Sequence, residues 1–324
     1  MTVLGFSPPR VWRTAAVLFV ALATIQPAAA QTLNPKLDRA LQHAKPGTFV
    51  RVIVQVDPSR RGVVRRLLAA QGYGSHEHSV ISALTLDVPA SWLDNLTRMP
   101  GVLSVSLDAP LAATQTAVVP TTDGELLRQE LGVPATGGYQ GQGVGVAVID
   151  SGIAPLSTFG SRIRAFYDFT IGGVATTPRD DYGHGTHVAA TIGGSGAPYG
   201  NAYQGVAPSV SFVGLKVLDA NGQGYTSNVI DAIAFAIANK KTLGIDIINL
   251  SLGHSPYESA TTDPLVRAVE QASAAGIVVV VSAGNVGINS ATGLSGYGGI
   301  TSPANARSKG RECEFRSFRV APDL

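Results

Sequence analysis

The sequence has one cysteine, Cys313, and charged residues make up only 14% of its 324 positions. A single cysteine cannot form a disulfide within the chain. The net charge of +2 gives no indication of a nucleic-acid partner. Low charge, 45% hydrophobic residues and 37 glycines together exclude a disordered or coiled-coil chain and favour a globular α/β protein with tight turns.

Long hydrophobic runs are also scarce, and the one of note lies near the N-terminus. Two arginines precede the apolar run 15–25, and three alanines follow it at 28–30. This pattern predicts a secretory signal peptide over residues 1–30, cleaved after Ala30. The alternative is an uncleaved anchor, but the run is short for a bilayer span. We therefore expect a secreted protein, extracellular or periplasmic, with no membrane contact after signal removal.

Residues 31–112 predict a small α+β domain. Strands are expected at 49–56, 80–88 and 102–107, and helices at 60–71 and 89–99, the second with Ser91 as a possible cap. The order β-α-β-β-α-β, with one early strand weakly marked, is typical of a ferredoxin-like fold. Residues 110–124 carry no charge before Asp123, which predicts a linker. In the domain assignment the first domain ends at residue 112, and the linker covers 113–124.

From residue 125 onward, apolar strands alternate with helices. Strands are expected at 144–149, 211–218, 245–252 and 277–281. One helix is expected after Thr226 and Ser227, which can cap it, and another from Asp263-Pro264 to Gly276. Alternation of this kind predicts an α/β fold with a doubly wound parallel sheet. Such sheets bind ligands at the carboxyl ends of their strands.

Polar residues stand where that rule places a site. Asp150 and Asn285 each follow a predicted strand, and His184 opens a predicted helix. A buried carboxylate can fix the tautomer of a histidine base, and an asparagine amide can stabilise an oxyanion. The alternatives are a turn aspartate, a turn asparagine and a metal site built on His184 and His187. The metal site lacks a third ligand in the pattern.

These segments strongly resemble the subtilisin family of serine proteases over residues 125–306. The matching segments, in family order, are Ile149-Asp150-Ser151-Gly152-Ile153, His184-Gly185-Thr186-His187-Val188-Ala189, Gly205-Val206-Ala207-Pro208, Leu215-Lys216-Val217-Leu218, Ser251-Leu252-Gly253 and Ala283-Gly284-Asn285. The resemblance implies a subtilisin-like protease domain over 125–306. It also implies that residues 31–112 are an inhibitory propeptide.

The resemblance also implies a role for each matched residue. His184 would deprotonate a serine nucleophile, Asp150 would orient His184, and Asn285 would donate to the oxyanion. Polypeptide substrates would bind as an added strand along Gly224, Ser251, Leu252 and Gly253. Members of the family often bind calcium, but the usual loop is not recognisable in 193–204. We therefore predict no cofactor and no metal.

The sequence departs from the family in its last part. The nucleophile segment, Gly-Thr-Ser followed by Met or Leu and Ala, does not occur in these residues. In subtilisin the serine lies about 66 residues beyond the oxyanion asparagine. The same distance from Asn285 gives a position of about 350 in this numbering. Ser295 is too early, has different neighbours and is predicted in a surface turn. We therefore expect the 324 residues to lack the nucleophile and to be inactive as given.

Residues 307–324 form an atypical tail in which charge and the cysteine concentrate. A frameshifted or mis-predicted gene end explains this tail, and a natural divergent tail is the alternative. Three functions follow: a serine endopeptidase in incomplete form, a non-catalytic peptide-binding pseudoprotease, and a protease inhibitor. An intact serine segment in the sequence downstream of codon 308 would favour the first.

Overall fold

The computed structural model describes residues 47–113, 128, 131–133, 139–200, 203–285 and 299–306. The predicted signal peptide, residues 114–124 of the predicted linker, Ser295 and the tail 307–324 lie outside these residues. Among the helices of the described part, none is long and apolar enough to cross a membrane.

The strands and helices follow the chain in an α/β order. The strands are β1 Phe49–Val56, β2 His76–His78, β3 Ala83–Pro89, β4 Val102–Leu107, β5 Pro110–Ala113, β6 Gly145–Asp150, β7 Ile163–Asp168, β8 Val174–Ala175, β9 Ser211–Lys216, β10 Gln223–Tyr225, β11 Ile247–Leu250, β12 Leu252–Gly253 and β13 Val278–Val281. The α-helices are α1 Arg61–Ala70, α2 Leu93–Thr97, α3 His184–Gly193, α4 Thr226–Ala238, α5 Lys240–Leu243 and α6 Pro264–Ala274.

A six-stranded sheet with the order β13-β11-β6-β9-β7-β8 forms the centre of the second half of the chain. Its strands are parallel except β8, which pairs antiparallel with β7. Alternate residues of β6 enter two cores: Ala147 and Ile149 pack with α4 and α6, and Val146 and Val148 pack with α3. Helices on both faces confirm the predicted doubly wound parallel sheet.

A second, antiparallel sheet with the order β2-β3-β1-β4 precedes it. Its elements follow one another as β-α-β-β-α-β, and α1 and α2 cover one face through a core that includes Val64, Leu68 and Leu96. The predicted second helix differs: residues 90–92 form a 3₁₀ turn and α2 begins only at Leu93. Ser91 lies inside the turn and does not cap the helix, because the residue before α2 is Trp92, whose side chain makes no capping hydrogen bond.

The other face of this sheet packs against α4 and α6. Ile53 and Ala83 are buried in the same core as the α4 and α6 side chains. Gln55 donates through Nε2 to the Thr262 carbonyl and accepts from Arg267 of α6. Long-range hydrogen bonds of this kind fix the position of the sheet because both partners are held by their own elements.

Three short strands with the order β10-β5-β12 form a third sheet, and this corrects the predicted linker. Residues 110–113 are a strand, antiparallel to β10 on one side and to β12 on the other. Leu111 of β5 is only 1% exposed. A segment of small, uncharged residues forms this strand because two backbone edges pair with it, which local composition does not reveal.

In the second half of the chain, the predicted N-terminal cap is confirmed for α6 and wrong for α4. The predicted start at Asp263-Pro264 is confirmed: Asp263 Oδ1 accepts from the backbone N–H groups of Leu265 and Val266. Helix α4 has no cap from its own first residues. Asp108, which is 119 residues earlier, accepts from Ser227 N at 2.9 Å and Ser227 Oγ at 2.8 Å. A carboxylate from another segment therefore replaces the predicted Thr226 or Ser227 cap.

Candidate active site

Asp150 is the last residue of β6 and is completely buried. Its Oδ1 accepts from Ser151 N at 2.7 Å and faces His184 Nδ1 at 2.8 Å. Its Oδ2 is buried and has no hydrogen-bond partner among the described residues. A carboxylate shielded from water interacts strongly with a nearby cation, so an imidazolium at His184 would be stabilised.

His184 is the first residue of α3 and is 7% exposed. Because an ionised carboxylate only accepts hydrogen bonds, Nδ1 carries a proton toward Asp150. That tautomer leaves Nε2 as the nitrogen that can receive a proton, which is the requirement for a general base. The structure therefore brings together two of the predicted site residues, 34 positions apart in sequence, in the arrangement of a base and its orienting group.

Two glycines set the spacing between α3 and β6. A Cβ placed on Gly185 would collide with the Gly152 carbonyl oxygen and lie 3.0 Å from the Cβ of Asp150. Gly152 itself has φ +127°, a conformation that favours glycine. The backbone of α3 at Gly185 therefore lies directly against the backbone at Gly152, just after the strand that ends at Asp150.

Asp180 and Ser151 satisfy the first N–H groups of α3, and sequence reasoning missed both roles. Asp180 Oδ1 accepts from Gly183 N at 2.8 Å and its Oδ2 accepts from Thr186 N at 2.8 Å. Ser151 Oγ accepts from Gly185 N at 2.9 Å. The first turn of a helix has N–H groups without intrahelical partners, so these bonds hold the turn that presents His184. The signal available in the sequence is an acidic residue four positions before His184.

The pKa of Asp180 lies below its usual value. Burial alone raises this pKa, but hydrogen bonds from Thr186 and Gly183 outweigh burial and lower it. The ionised carboxylate therefore stabilises the fold above the pKa of the unfolded chain, and this contribution is lost as the pH falls through the lower folded-state pKa.

We expect Asp180→Asn to lower the free energy of unfolding by about 1 kcal/mol at neutral pH, because an amide replaces one of two acceptor oxygens at the helix start. The deficit should begin to shrink below about pH 4, where Asp180 of the unfolded wild-type chain takes up a proton, and should vanish only below the lower folded-state pKa. Urea unfolding of both proteins from about pH 3 to about pH 7, at intervals of about one pH unit, measures this. Asp181→Asn is the matched control, since its carboxylate is 48% exposed and makes only ion pairs at 3.5 and 3.8 Å. Equal losses for the two variants, at every pH, would contradict the assignment.

Lys216 is a third residue to which the sequence analysis gave no role. It ends β9 beside Asp150, with which it pairs in the sheet register, and it is 2% exposed. Its ammonium group donates to the carbonyl oxygens of Ser151 and Leu218, both at 2.7 Å. A buried ammonium that bonds two carbonyls joins the turn after β6 to the turn after β9, and thereby supports the loop that follows Asp150.

The remaining predicted site residues lie along the same edge of the sheet. Asn285 is exposed and follows β13, and one strand separates β13 from β6, so the two strand ends are about 10 Å apart. Ser251, Leu252 and Gly253 follow β11, and Gly224 is in β10. The strands β10 and β12, which hold Gly224, Leu252 and Gly253, enclose β5 between them. Every predicted site residue therefore lies at or beside the carboxyl end of the sheet, including Gly224, which is next to Val217 and Leu218 after β9.

The chain is similar to proteases of known sequence and structure. The Subtilase family (peptidase S8) matches residues 141–308, which is just over half of the chain. Serine protease AprX of Bacillus subtilis is 43% identical over 157 residues, which are 47% of this chain and 35% of AprX. An alkaline protease of Shouchella clausii is 30% identical over 249 residues, which are 77% of this chain and 61% of that protein.

A solved structure supports the fold independently. The crystal structure of fervidolysin from Fervidobacterium pennivorans, described as a keratinolytic enzyme related to subtilisin, superposes with a TM-score of 0.57 at 18% identity. The match covers 77% of this chain and 41% of fervidolysin. This chain therefore spans between about a third and three fifths of the relatives named here. The matched family, the protease relatives and the shared fold lead to one conclusion: the chain belongs to the subtilase family.

Proposed function

We propose that this chain is part of a secreted serine endopeptidase in which Asp150 and His184 form the base of an Asp-His-Ser triad. The contact of 2.8 Å between Asp150 Oδ1 and His184 Nδ1, at the carboxyl end of a parallel sheet, is the observation that carries the proposal. In the proposed reaction His184 Nε2 takes the proton of a serine hydroxyl as its oxygen attacks the peptide carbonyl. Asn285 would donate to the oxyanion that forms.

The third sheet supports peptide binding by strand addition. The backbone of β5 is extended between β10 and β12 and pairs with both, with Ala113 N donating to the Gly222 carbonyl at 3.1 Å. A polypeptide substrate is proposed to occupy the same position through main-chain hydrogen bonds. Bonds of this kind are independent of side chains, so they suit a protease that accepts many sequences.

The same observation supports an inhibitory role for the first domain. We propose that residues 31–112, which end within the strand β5, act as an inhibitory propeptide. As long as β5 lies between β10 and β12, a substrate strand cannot pair with either edge. The proposed domain boundaries are 1–30 for the signal peptide, 31–112 for the propeptide, 113–124 for the linker and 125–306 for the protease domain. The strand β5 crosses the second boundary, because its last residue, Ala113, is the first residue of the linker.

A fluorophosphonate probe tests the proposed function, because it labels only an activated serine. A polypeptide of these 324 residues is expected to remain unlabelled, since none of its serines occurs in the family's nucleophile segment. A longer polypeptide that adds this segment downstream of residue 306 is expected to be labelled in a 1:1 ratio once the propeptide is removed. Label bound by the 324-residue polypeptide and lost in His184→Ala would show that the nucleophile has been missed.

A longer polypeptide that carries the segment, folds and still takes up no label would instead favour the non-catalytic peptide-binding function. The pairing of β5 with both edges of the groove is the observation that makes this second function worth testing.

A further inference from the structure

Three side chains that the proposed peptidase chemistry does not use converge between the first domain and the protease domain. His76 and His78 lie on β2, and Asp231 lies on α4. His76 Nε2 is 2.8 Å from Asp231 Oδ2, and His78 Nδ1 is 2.8 Å from Asp231 Oδ1. One donor atom from each of the three side chains lies within 4.8 Å of the others. Asp231 is more than 150 positions from either histidine in sequence, so only the fold brings it to them.

The two histidines alternate along one strand and so point to the same side of it. Their rings are 5.0 Å apart and nearly perpendicular, at 81°. One nitrogen of each imidazole faces the carboxylate of Asp231, which approaches from the helix, and each contacts a different carboxylate oxygen. A strand and a helix fix all three side chains, so the cluster is organised before any ligand binds.

His78 has the environment of a metal ligand held by an outer hydrogen bond. Its side chain is completely buried, and its Nε2 lies 2.7 Å from Thr85 Oγ1 on the neighbouring strand β3. When Nε2 donates its proton to the Thr85 hydroxyl, Nδ1 presents a lone pair toward Asp231. Histidines that bind metals are oriented in this way, by a hydrogen bond from the other ring nitrogen.

We propose that His76, His78 and Asp231 bind a zinc-type divalent cation that joins the first domain to the protease domain. Two imidazole nitrogens and a carboxylate oxygen form a ligand set typical of Zn²⁺. Ligands about 2.0–2.1 Å from a tetrahedral zinc are about 3.3 Å from one another, so the present 2.8 Å contacts need to open by only about half an ångström. This site does not depend on the proposed peptidase activity.

Access and coordination number agree with the proposal. The side chain of His76 is 56% exposed and that of Asp231 is 27% exposed, so one side of the cluster is open to solvent. The cation can enter from this side, and a water can occupy the fourth position. Because two ligands come from β2 and one comes from α4, the cation stabilises the docked arrangement of the two elements and should slow their separation.

Metal binding by the full 324-residue chain tests the site directly, with Zn²⁺ in calorimetry and Co²⁺ in visible spectroscopy as the probes. We expect one ion per chain and the visible absorption of tetrahedral Co²⁺. His76→Ala should weaken zinc binding at least tenfold, and Thr85→Val should weaken it by about 10- to 100-fold through His78. Zinc should also raise the thermal midpoint of the wild-type chain and not that of His76→Ala.

His187→Ala is the matched control because His187 is also exposed but lies on α3, away from the cluster. It should leave zinc affinity unchanged. His76 is exposed, so its replacement should preserve the fold, which circular dichroism checks. Absence of zinc binding, binding that His76→Ala does not weaken, or equal losses in His76→Ala and His187→Ala would each overturn the proposal.

Discussion

In a polypeptide that supplies the serine nucleophile, His184→Ala is expected to lower kcat by about 10⁶, a loss of the size found in subtilisin. In the proposed reaction the imidazole takes the serine proton, and Nε2 is the nitrogen available for this because Nδ1 faces Asp150 at 2.8 Å. The proposed substrate binding relies on the strands β10 and β12 and not on His184, so KM should change little. Measurement of kcat and KM on a chromogenic peptide, after removal of the first domain, gives the two effects separately.

The effect of replacing Asp150 on kcat is the control for the role assigned to His184. Asp150→Asn should lower kcat by about 10⁴, because the amide favours the wrong histidine tautomer while preserving the shape of the site. The double variant should be no slower than His184→Ala alone, since the two residues act as one unit. Additive losses in the double variant, or a His184→Ala protein with more than about a hundredth of the wild-type kcat, would refute the assigned base.

Leu111 is expected to determine how strongly the first domain inhibits. A polypeptide of residues 31–113, added to an active subtilisin-like protease, should block peptide hydrolysis by placing β5 in the groove. Leu111 is 1% exposed and shares a core with residues of β9 and α4. Leu111→Ala should raise the inhibition constant by between about 30-fold and about 3,000-fold, because truncation of a buried leucine costs about 2–5 kcal/mol.

Leu103→Ala is the matched control for this measurement. Leu103 lies on β4 and is 54% exposed, so its truncation should leave the inhibition constant within about twofold. Circular dichroism of both variants shows whether the added segment is folded. Failure of the folded wild-type segment to inhibit at high micromolar concentration would refute the inhibitory role, and similar constants for the two variants would refute the role of β5.

The parts of the fold that local sequence determines could be predicted. The strand that ends at Asp150 is a continuous apolar run, and the helix that starts after Asp263 has both a capping carboxylate and a proline at its first position. In each case the residues that form the feature are neighbours in sequence. The positions of Asp150 and His184 at the ends of their elements follow from the same local patterns.

Features that depend on distant partners could not be predicted. The cap of α4 comes from Asp108, so the prediction that Thr226 or Ser227 caps this helix named the wrong residues. Residues 110–113 have the composition of a linker and become a strand only because β10 and β12 flank them. The contacts of His76 and His78 with Asp231 likewise require the docking of β2 on α4.

The backbone contact between Gly185 and Gly152 affects which substitutions the protein can accept during evolution. No side chain lies between the helix and the strand at this point, so the distance from Asp150 to His184 does not depend on the size of an intervening residue. Side chains elsewhere on α3, such as the buried Ala189, can change the distance only by shifting the whole helix. Homologous chains can therefore diverge in the surrounding core while keeping the spacing of Asp150 and His184, provided that both glycines are retained.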